Sequence, residues 1–340
     1  MSFAVKPRKI GGTEVFPIGY GAMGISAYYT RAKPLTDEER FAVLDTAYES
    51  GCNHWDTADV YGDSEELLGN WFKRTNKRSE IFLASKCGIV QGIGVDGSPK
   101  HVKEAIESSL KKLGVDYIDL YYLHRPDTKT PIEHTIGALA EFVKKGKIRH
   151  IGLSECSAST LRRAHAVHPI AALQVEYSPF TLDIEFPEVN LLKTARELGV
   201  TIVAYSPLGR GLLTGQYKSP DDFEEDDFRR TIPRYSKENF PNILSLVSSI
   251  QKIGDKYGAS SGQVALAWLL AQGEDVVAIP GTTRIKALKE NIDAANVKLS
   301  PEDVAEVRRL AENAEAGKHG DRYPPGMREQ LFADTPPLQS

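Results

Sequence analysis

Short apolar runs alternate with longer amphipathic ones eight times along this chain, and that alternation limits its possible folds more than any other feature. Read as strands, the apolar runs fall at 17–21, 53–56, 81–85, 118–123, 148–153, 172–176, 200–205 and 276–279. Runs such as Ile81-Phe82-Leu83-Ala84 are apolar at consecutive positions, so both strand faces need cover. The intervening segments read as helices. Thr36 and Glu39 form a capping-box start, Phe41, Leu44, Ala47 and Tyr48 share one helical face, and Gly51 ends that helix. Further helices are predicted over 64–73, 99–113, 131–145, 157–166, 188–198, 241–257, 261–271 and 284–294.

Eight strand–helix units in 340 residues predict an α/β fold, a (β/α)8 TIM barrel, as a single domain spanning 1–340. A doubly wound open sheet shows the same alternation, and the count of eight disfavours it. An N-terminal β-hairpin is expected over 8–16, turning at Gly11-Gly12. After the eighth unit, Ser300-Pro301-Glu302-Asp303 caps an extra helix over 301–313. The tail from Ala314 to Ser340 is expected as an ordered arm over one barrel end. Segment 209–240 lacks the repeat; its acidic run Asp221 to Asp227 reads as a solvated loop ahead of a reading in which Arg229, Arg230 and Arg234 touch an anionic cofactor.

Composition narrows the function classes. A net charge of −4 with both signs mixed provides no basic face for nucleic acid or membrane lipid. Cys52, Cys87 and Cys156 are scattered, which argues against structural disulfides and zinc. With no apolar leader and no bilayer-length run, a cytoplasmic protein without a bound metal is expected.

In a barrel the chemistry belongs at the C-terminal strand ends. There the second strand ends at Asp56 with Tyr61 in its loop, the third at Lys86 and the fourth at His124. Singly, a strand-end Lys is usually a snorkelling cation, an Asp a helix cap and a His a satisfied rim residue. Their coincidence on three successive strands, about 4.7–4.9 Å apart, favours a shared site. A Tyr hydroxyl titrates near 10 and is a poor acid at neutral pH until its phenolate is stabilised. Lys86 beside Tyr61 would supply that stabilisation, Asp56 would hold Lys86 and keep it charged, and His124 can bond a carbonyl oxygen or relay its proton. Such a site suits the reduction of a carbonyl.

The order Asp56, Tyr61, Lys86, His124, within Asp56-Thr57-Ala58-Asp59-Val60-Tyr61-Gly62 and Leu123-His124-Arg125-Pro126, resembles the aldo-keto reductase superfamily. Ile151 to Ser157, Gln174 to Pro179 and Tyr205 to Gly211 match further blocks in order, and the likeness is to the NADP-dependent microbial and plant subgroup that includes perakine reductase. The resemblance implies reduction of aldehydes or ketones to alcohols with NADPH, bound without a Rossmann fold, by hydride transfer from the nicotinamide C4 with Tyr61 as proton donor. It places Tyr205 under the nicotinamide, Ser154 and Gln174 on its carboxamide, and Ser206, Pro207, Leu208, Gly209, Arg210 and Gly211 around the pyrophosphate. Ile279, Gly281, Thr282, Thr283 and Arg284 would hold the 2′-phosphate, Glu290 and Asn291 the adenine, and Gly21, Ala22 and Met23 the first strand end beside the cofactor and Asp56.

Two positions depart from the family pattern. Glu155 stands where many members have Asn; a carboxylate cannot donate to a carboxamide carbonyl, so Glu155 is expected to serve the loop or the substrate. Gly281 stands where many have Lys, which leaves NADPH preference to Arg284, Thr282 and Thr283. Gly19-Tyr20-Gly21-Ala22-Met23-Gly24 is a formal G-x-G-x-x-G, but 25–34 reads as a loop, so it is rejected as a Rossmann site. Met23, Tyr28, Val60, Tyr61, His124 and Arg125 are the expected substrate-pocket linings, with Tyr29, Cys87 and Tyr323 as further candidates. The expected partner is a small carbonyl substrate rather than nucleic acid or membrane. A monomer is expected, with an oligomer left open. Two other readings stand behind this one: a cofactor-sensing regulatory subunit resembling potassium-channel β subunits, and a Schiff-base lyase on Lys86, which an adjacent Asp56 disfavours by raising the lysine pKa.

Overall fold

The computed structural model describes residues 5–27, 34–316, 320–324 and 326–339. Eight parallel strands form one sheet: β3 (Tyr20–Gly21), β4 (His54–Asp56), β5 (Phe82–Cys87), β8 (Ile118–Leu123), β9 (Ile148–Ser154), β10 (Ile170–Glu176), β11 (Thr201–Tyr205) and β12 (Val276–Ala278). Each pairs with its neighbour in chain order, and a parallel bridge from Ile18 to Ala278 joins first to last, closing a barrel as the eightfold alternation predicts. Two hairpins lie outside the ring: β1 (Arg8–Ile10) with β2 (Thr13–Val15), and β6 (Ile89–Val90) with β7 (Gly94–Val95).

Alternation within the strands divides the core in two. Phe82 and Ala84 of β5, Leu120 and Tyr122 of β8, Ala172 and Val203 point into the lumen, and Ile10 and Val15 of the N-terminal hairpin close it from below. The opposite parity, with Trp55, Leu83, Cys87, Tyr121 and Leu123, packs against the surrounding helices. These are α2 (Asp37–Glu49), α3 (Ser64–Thr75), α4 (Pro99–Leu113), α5 (Ile132–Lys144), α6 (Ala158–Val167), α7 (Leu191–Glu197), α8 (Phe240–Gly254), α9 (Ser261–Leu270) and α10 (Ile285–Asp293), with α11 (Pro301–Ala316) added after the eighth unit. The Thr36–Glu39 capping box is present in both directions, and its loss would cost about 1 kcal/mol.

Three expectations need correction. A single helical turn, α1 (Met23–Ser26), occupies the start of the stretch read as loop. It follows a barrel strand closed against β4 and β12, so the glycine pattern still belongs to a barrel rather than a Rossmann unit. The acidic segment is exposed at Asp221, Asp222 and 224–226, but Asp227 is buried, because Arg229 folds back on it. The 241–257 helix ends at Gly254, and a 3-10 turn over Asp255–Tyr257 takes the chain to a left-handed Gly258. Among the described residues, no helix is long and apolar enough to cross a membrane.

Candidate active site

Strand parity explains why the polar residues meet. Asp56, Lys86, His124, Gln174 and Tyr205 share the register of the lumen-facing positions, two residues on from His54, Ala84, Tyr122, Ala172 and Val203. They therefore cap the lumen at its C-terminal mouth. Tyr61 reaches it from the β4–α3 loop, which is pinned to β5 by Thr57 N–H on Ala84 O (2.9 Å) and Asp59 N–H on Lys86 O (3.1 Å).

Lys86 is fully buried; its ammonium donates to Asp56 Oδ1 and to Thr57 O (2.8 Å). Gln174 Nε2 donates to the other carboxylate oxygen of Asp56 (2.8 Å), which fixes the acid from both sides. Lys86 Nζ lies 4.9 Å from the centre of the Tyr61 ring, and Tyr61 Oη is 3.3 Å from His124 Nε2. The four side chains brought together are those the sequence singles out.

Burial reshapes their titration. It lowers Lys86, with Asp56 pulling the other way, and it raises Asp56, with Lys86 and Gln174 opposing. The expectation that Asp56 sets the lysine pKa gives way here, since removing the ammonium from water is the larger effect. Burial, then Lys86 and Arg125, hold His124 well below its ordinary value, so its imidazole is neutral at neutral pH. His124 Nδ1 is buried with no hydrogen-bond partner among the described residues.

Above this group opens a cleft of about 440 Å³. Asp56, Tyr61 and His124 line it and Lys86 does not, so a ligand can touch the phenol but not the amine behind it. That geometry removes the access a Schiff-base lysine needs. Of the positions tied to a cofactor by sequence, Gly21, Met23, Gln174, Tyr205, Ser206, Pro207, Leu208, Arg210, Gly211, Ile279, Gly281, Thr282, Thr283, Arg284 and Asn291 line the cleft. Ala22, Ser154, Gly209 and Glu290 do not. Ser154 faces Arg125, and Glu290 accepts from the Ser260 hydroxyl beside it. Arg125 and Tyr323 line the wall, Val60 stands outside it, and Tyr28 and Tyr29 fall outside the described residues. Cys87, one residue past Lys86, has the opposite parity and is buried against the helices instead.

The first and last strands touch where both meet the cleft. A Cβ on Gly281 would lie 2.6 Å from Gly21 O, and one on Gly21 would lie 2.7 Å from Ile279 O. No lysine can stand at 281 without moving the first strand, which is the physical side of that departure from the family pattern. Cationic groups gather farther along the cleft: Arg210, Arg229 and Arg284, the last donating to Gln216 Oε1 (2.8 Å) across the opening.

Glu155 serves the C-terminal arm. It sits at φ +52°, fully buried, and takes Arg322 Nη2 at 2.9 Å, the Tyr205 hydroxyl at 2.8 Å and Glu176 N–H at 3.1 Å. Arg322 Nη1 also reaches Glu176 (3.2 Å), and the next residue, Tyr323, meets the Tyr205 hydroxyl at 3.0 Å. Farther on, Ala333 bridges Cys156 and accepts from Ser157 N–H (3.1 Å). The arm thus lies over the C-terminal ends of β9 to β11. Gln216, Tyr217, Phe228 and Met327 also line the cleft, and no local pattern in the irregular 209–240 segment or the tail marks them beforehand.

The chain is similar to known proteins over most of its length. The sequence model of the Aldo/keto reductase family matches residues 17–312. The chain is 62% identical over 320 residues to aldo-keto reductase str7 of Strobilurus tenacellus, covering 93% of this chain and 94% of that one. It is 52% identical over 342 residues to aldo-keto reductase yakc of Schizosaccharomyces pombe, whose name carries the designation NADP(+), at 98% and 99% coverage. Among solved structures, the glycerol dehydrogenase of Gluconobacter oxydans superposes with a TM-score of 0.81 at 27% identity, covering 99% of this chain and 100% of that one.

Proposed function

The chain belongs to the aldo/keto reductase family, and from that premise we propose that it reduces aldehydes or ketones to alcohols with NADPH, Tyr61 giving the proton. One observation carries the reading: Tyr61 and His124 present themselves to the cleft as a bonded pair, with the buried Lys86–Asp56 pair directly behind the phenol. The cleft suits an anionic dinucleotide. Arg284 faces it with no carboxylate of the described residues within ion-pair distance, and Arg210 and Arg229 line it while paired with Glu176 and Asp227. Tyr205 and Gln174 would meet the nicotinamide end, with Ser206 to Gly211 and Thr282 to Arg284 toward the phosphates.

When bound, NADPH supplies the hydride. The protein handles the proton and the developing negative charge. Tyr61 Oη donates to the carbonyl oxygen as it becomes an alkoxide, and the neutral His124 ring donates a second hydrogen bond to the same oxygen. Lys86 stabilises the phenolate left behind, while Asp56 and Gln174 keep the ammonium in place. Turnover of a panel of aromatic and aliphatic aldehydes and ketones, each with NADPH and with NADH, tests the proposal. Oxidation of NADPH at the higher kcat/KM supports it. Tight NADPH binding without turnover on any carbonyl would favour the regulatory-subunit reading instead.

A further inference from the structure

Arg125 follows His124 directly in the chain and lines the cleft while only 9% exposed. Its Nη1 donates to His124 O (2.8 Å) and to Ser154 Oγ (3.2 Å), both uncharged acceptors. Its Nε and Nη2 donate to no described residue, and no carboxylate of the described residues lies within ion-pair distance. Neighbouring guanidiniums differ: Arg322 has Glu155 and Glu176, Arg229 has Asp227, and Arg210 has Glu176. Two buried acids of the site are already committed, Asp56 to Lys86 and Glu155 to Arg322.

A guanidinium stays charged at any physiological pH; burial opposes the charge of Arg125, and Tyr205, Tyr323 and Glu155 offset that burial without any carboxylate of the described residues pairing with it. The unused Nε–Nη2 edge is the side of the group that binds a carboxylate through two parallel hydrogen bonds. We propose that Arg125 binds a carboxylate of the substrate, so that the preferred substrates are carbonyl compounds carrying a carboxylate close to the reacting carbon. Because Arg125 and His124 are consecutive, their Cα atoms are only about 3.8 Å apart. Both ends of one compact molecule can then be held at once, the carbonyl by Tyr61 and His124 and the anion by Arg125. This inference rests on the carbonyl reduction proposed above and narrows its substrate class.

The experiment compares two acids with their neutral amides: phenylglyoxylate against 2-oxo-2-phenylacetamide, and 3-carboxybenzaldehyde against 3-formylbenzamide, all with NADPH. A bidentate charge-assisted contact predicts kcat/KM about 10- to 100-fold higher for the acid in at least one pair. In Arg125→Gln that preference should vanish through KM, and Arg125→Lys should recover part of it. A wild-type preference for the amides in both pairs overturns the proposal. An equal loss on acid and amide in Arg125→Gln also overturns it, since the side chain would then only brace His124 and Ser154. So does an NADPH affinity, read by fluorescence, that weakens as much as kcat/KM falls. If no carbonyl is reduced, the reductase reading fails by itself. Calorimetric titration of benzoate against benzamide into the NADP+ complex then decides Arg125 alone, with benzoate bound more tightly by the wild type only if the proposal holds.

Discussion

Replacing Arg322 by Ala removes the counter-ion shared by two carboxylates that water hardly reaches, Glu155 at 0% and Glu176 at 2% exposure. Glu176 retains Arg210 at 3.5 Å and the Thr181 hydroxyl, so the loss falls mainly on Glu155. Breaking one side of a buried ion pair costs about 3–5 kcal/mol. With an unfolding entropy of about 2.1 cal/mol/K per residue over 340 residues, Tm should fall by about 4–7 °C. Calorimetry at pH 7 reads that shift, and proteolysis at the arm reads its release. Adding Glu155→Gln should restore much of the loss, because the amide leaves no charge unpaired. Burial raises Glu155, but Arg322 and then Arg125 more than offset it, so its pKa lies below the ordinary 4.5. A depressed carboxyl stabilises the fold fully above about 4.5, and that contribution fades as pH falls through the lowered value. The gap between wild type and variant should therefore be complete at pH 7 and close only in acid. A Tm within about 1 °C of wild type, or strictly additive effects of the two substitutions, would refute the reasoning.

Two further outcomes follow from the same geometry. Burial, then Glu65, push the Asp59 carboxyl up from 3.8 to about 7. The folded state thus holds a proton that the unfolded state releases, and stability declines as pH rises from about 4 to 7, by at most ~4 kcal/mol. Asp59→Asn should lack this decline and show the higher urea midpoint at pH 8; a lower midpoint there would contradict the assignment. Arg284→Ala should lower kcat/KM with NADPH by about 10- to 100-fold and leave NADH nearly unchanged. Equal losses with both cofactors would show that Arg284 does not sense the 2′-phosphate.

Local rules made the barrel legible. Consecutive apolar residues mark strands covered on both faces, and the Thr36–Glu39 box begins α2 where the sequence places it. The site was legible because a strand end and a residue's parity are both local quantities. The same parity, applied one residue further, turns Cys87 outward and removes it from the pocket wall. Contacts across the chain left no local mark. Arg322 meets Glu155 from 167 residues away, so Glu155 could be seen as unusual but not assigned a partner. Asp227 looked like one more solvated acid until Arg229 folded back on it. The direction of the Lys86 shift depends on complete burial, which a sequence does not measure.

The central claim is that Tyr61 delivers the proton in an NADPH-dependent carbonyl reduction. NADPH consumption with an activated aromatic aldehyde, followed by absorbance for wild type and Tyr61→Phe, tests it most directly. General acid catalysis predicts a kcat lower by about 100- to 10,000-fold in the variant, with NADPH still bound at wild-type affinity. Full turnover by Tyr61→Phe would contradict it.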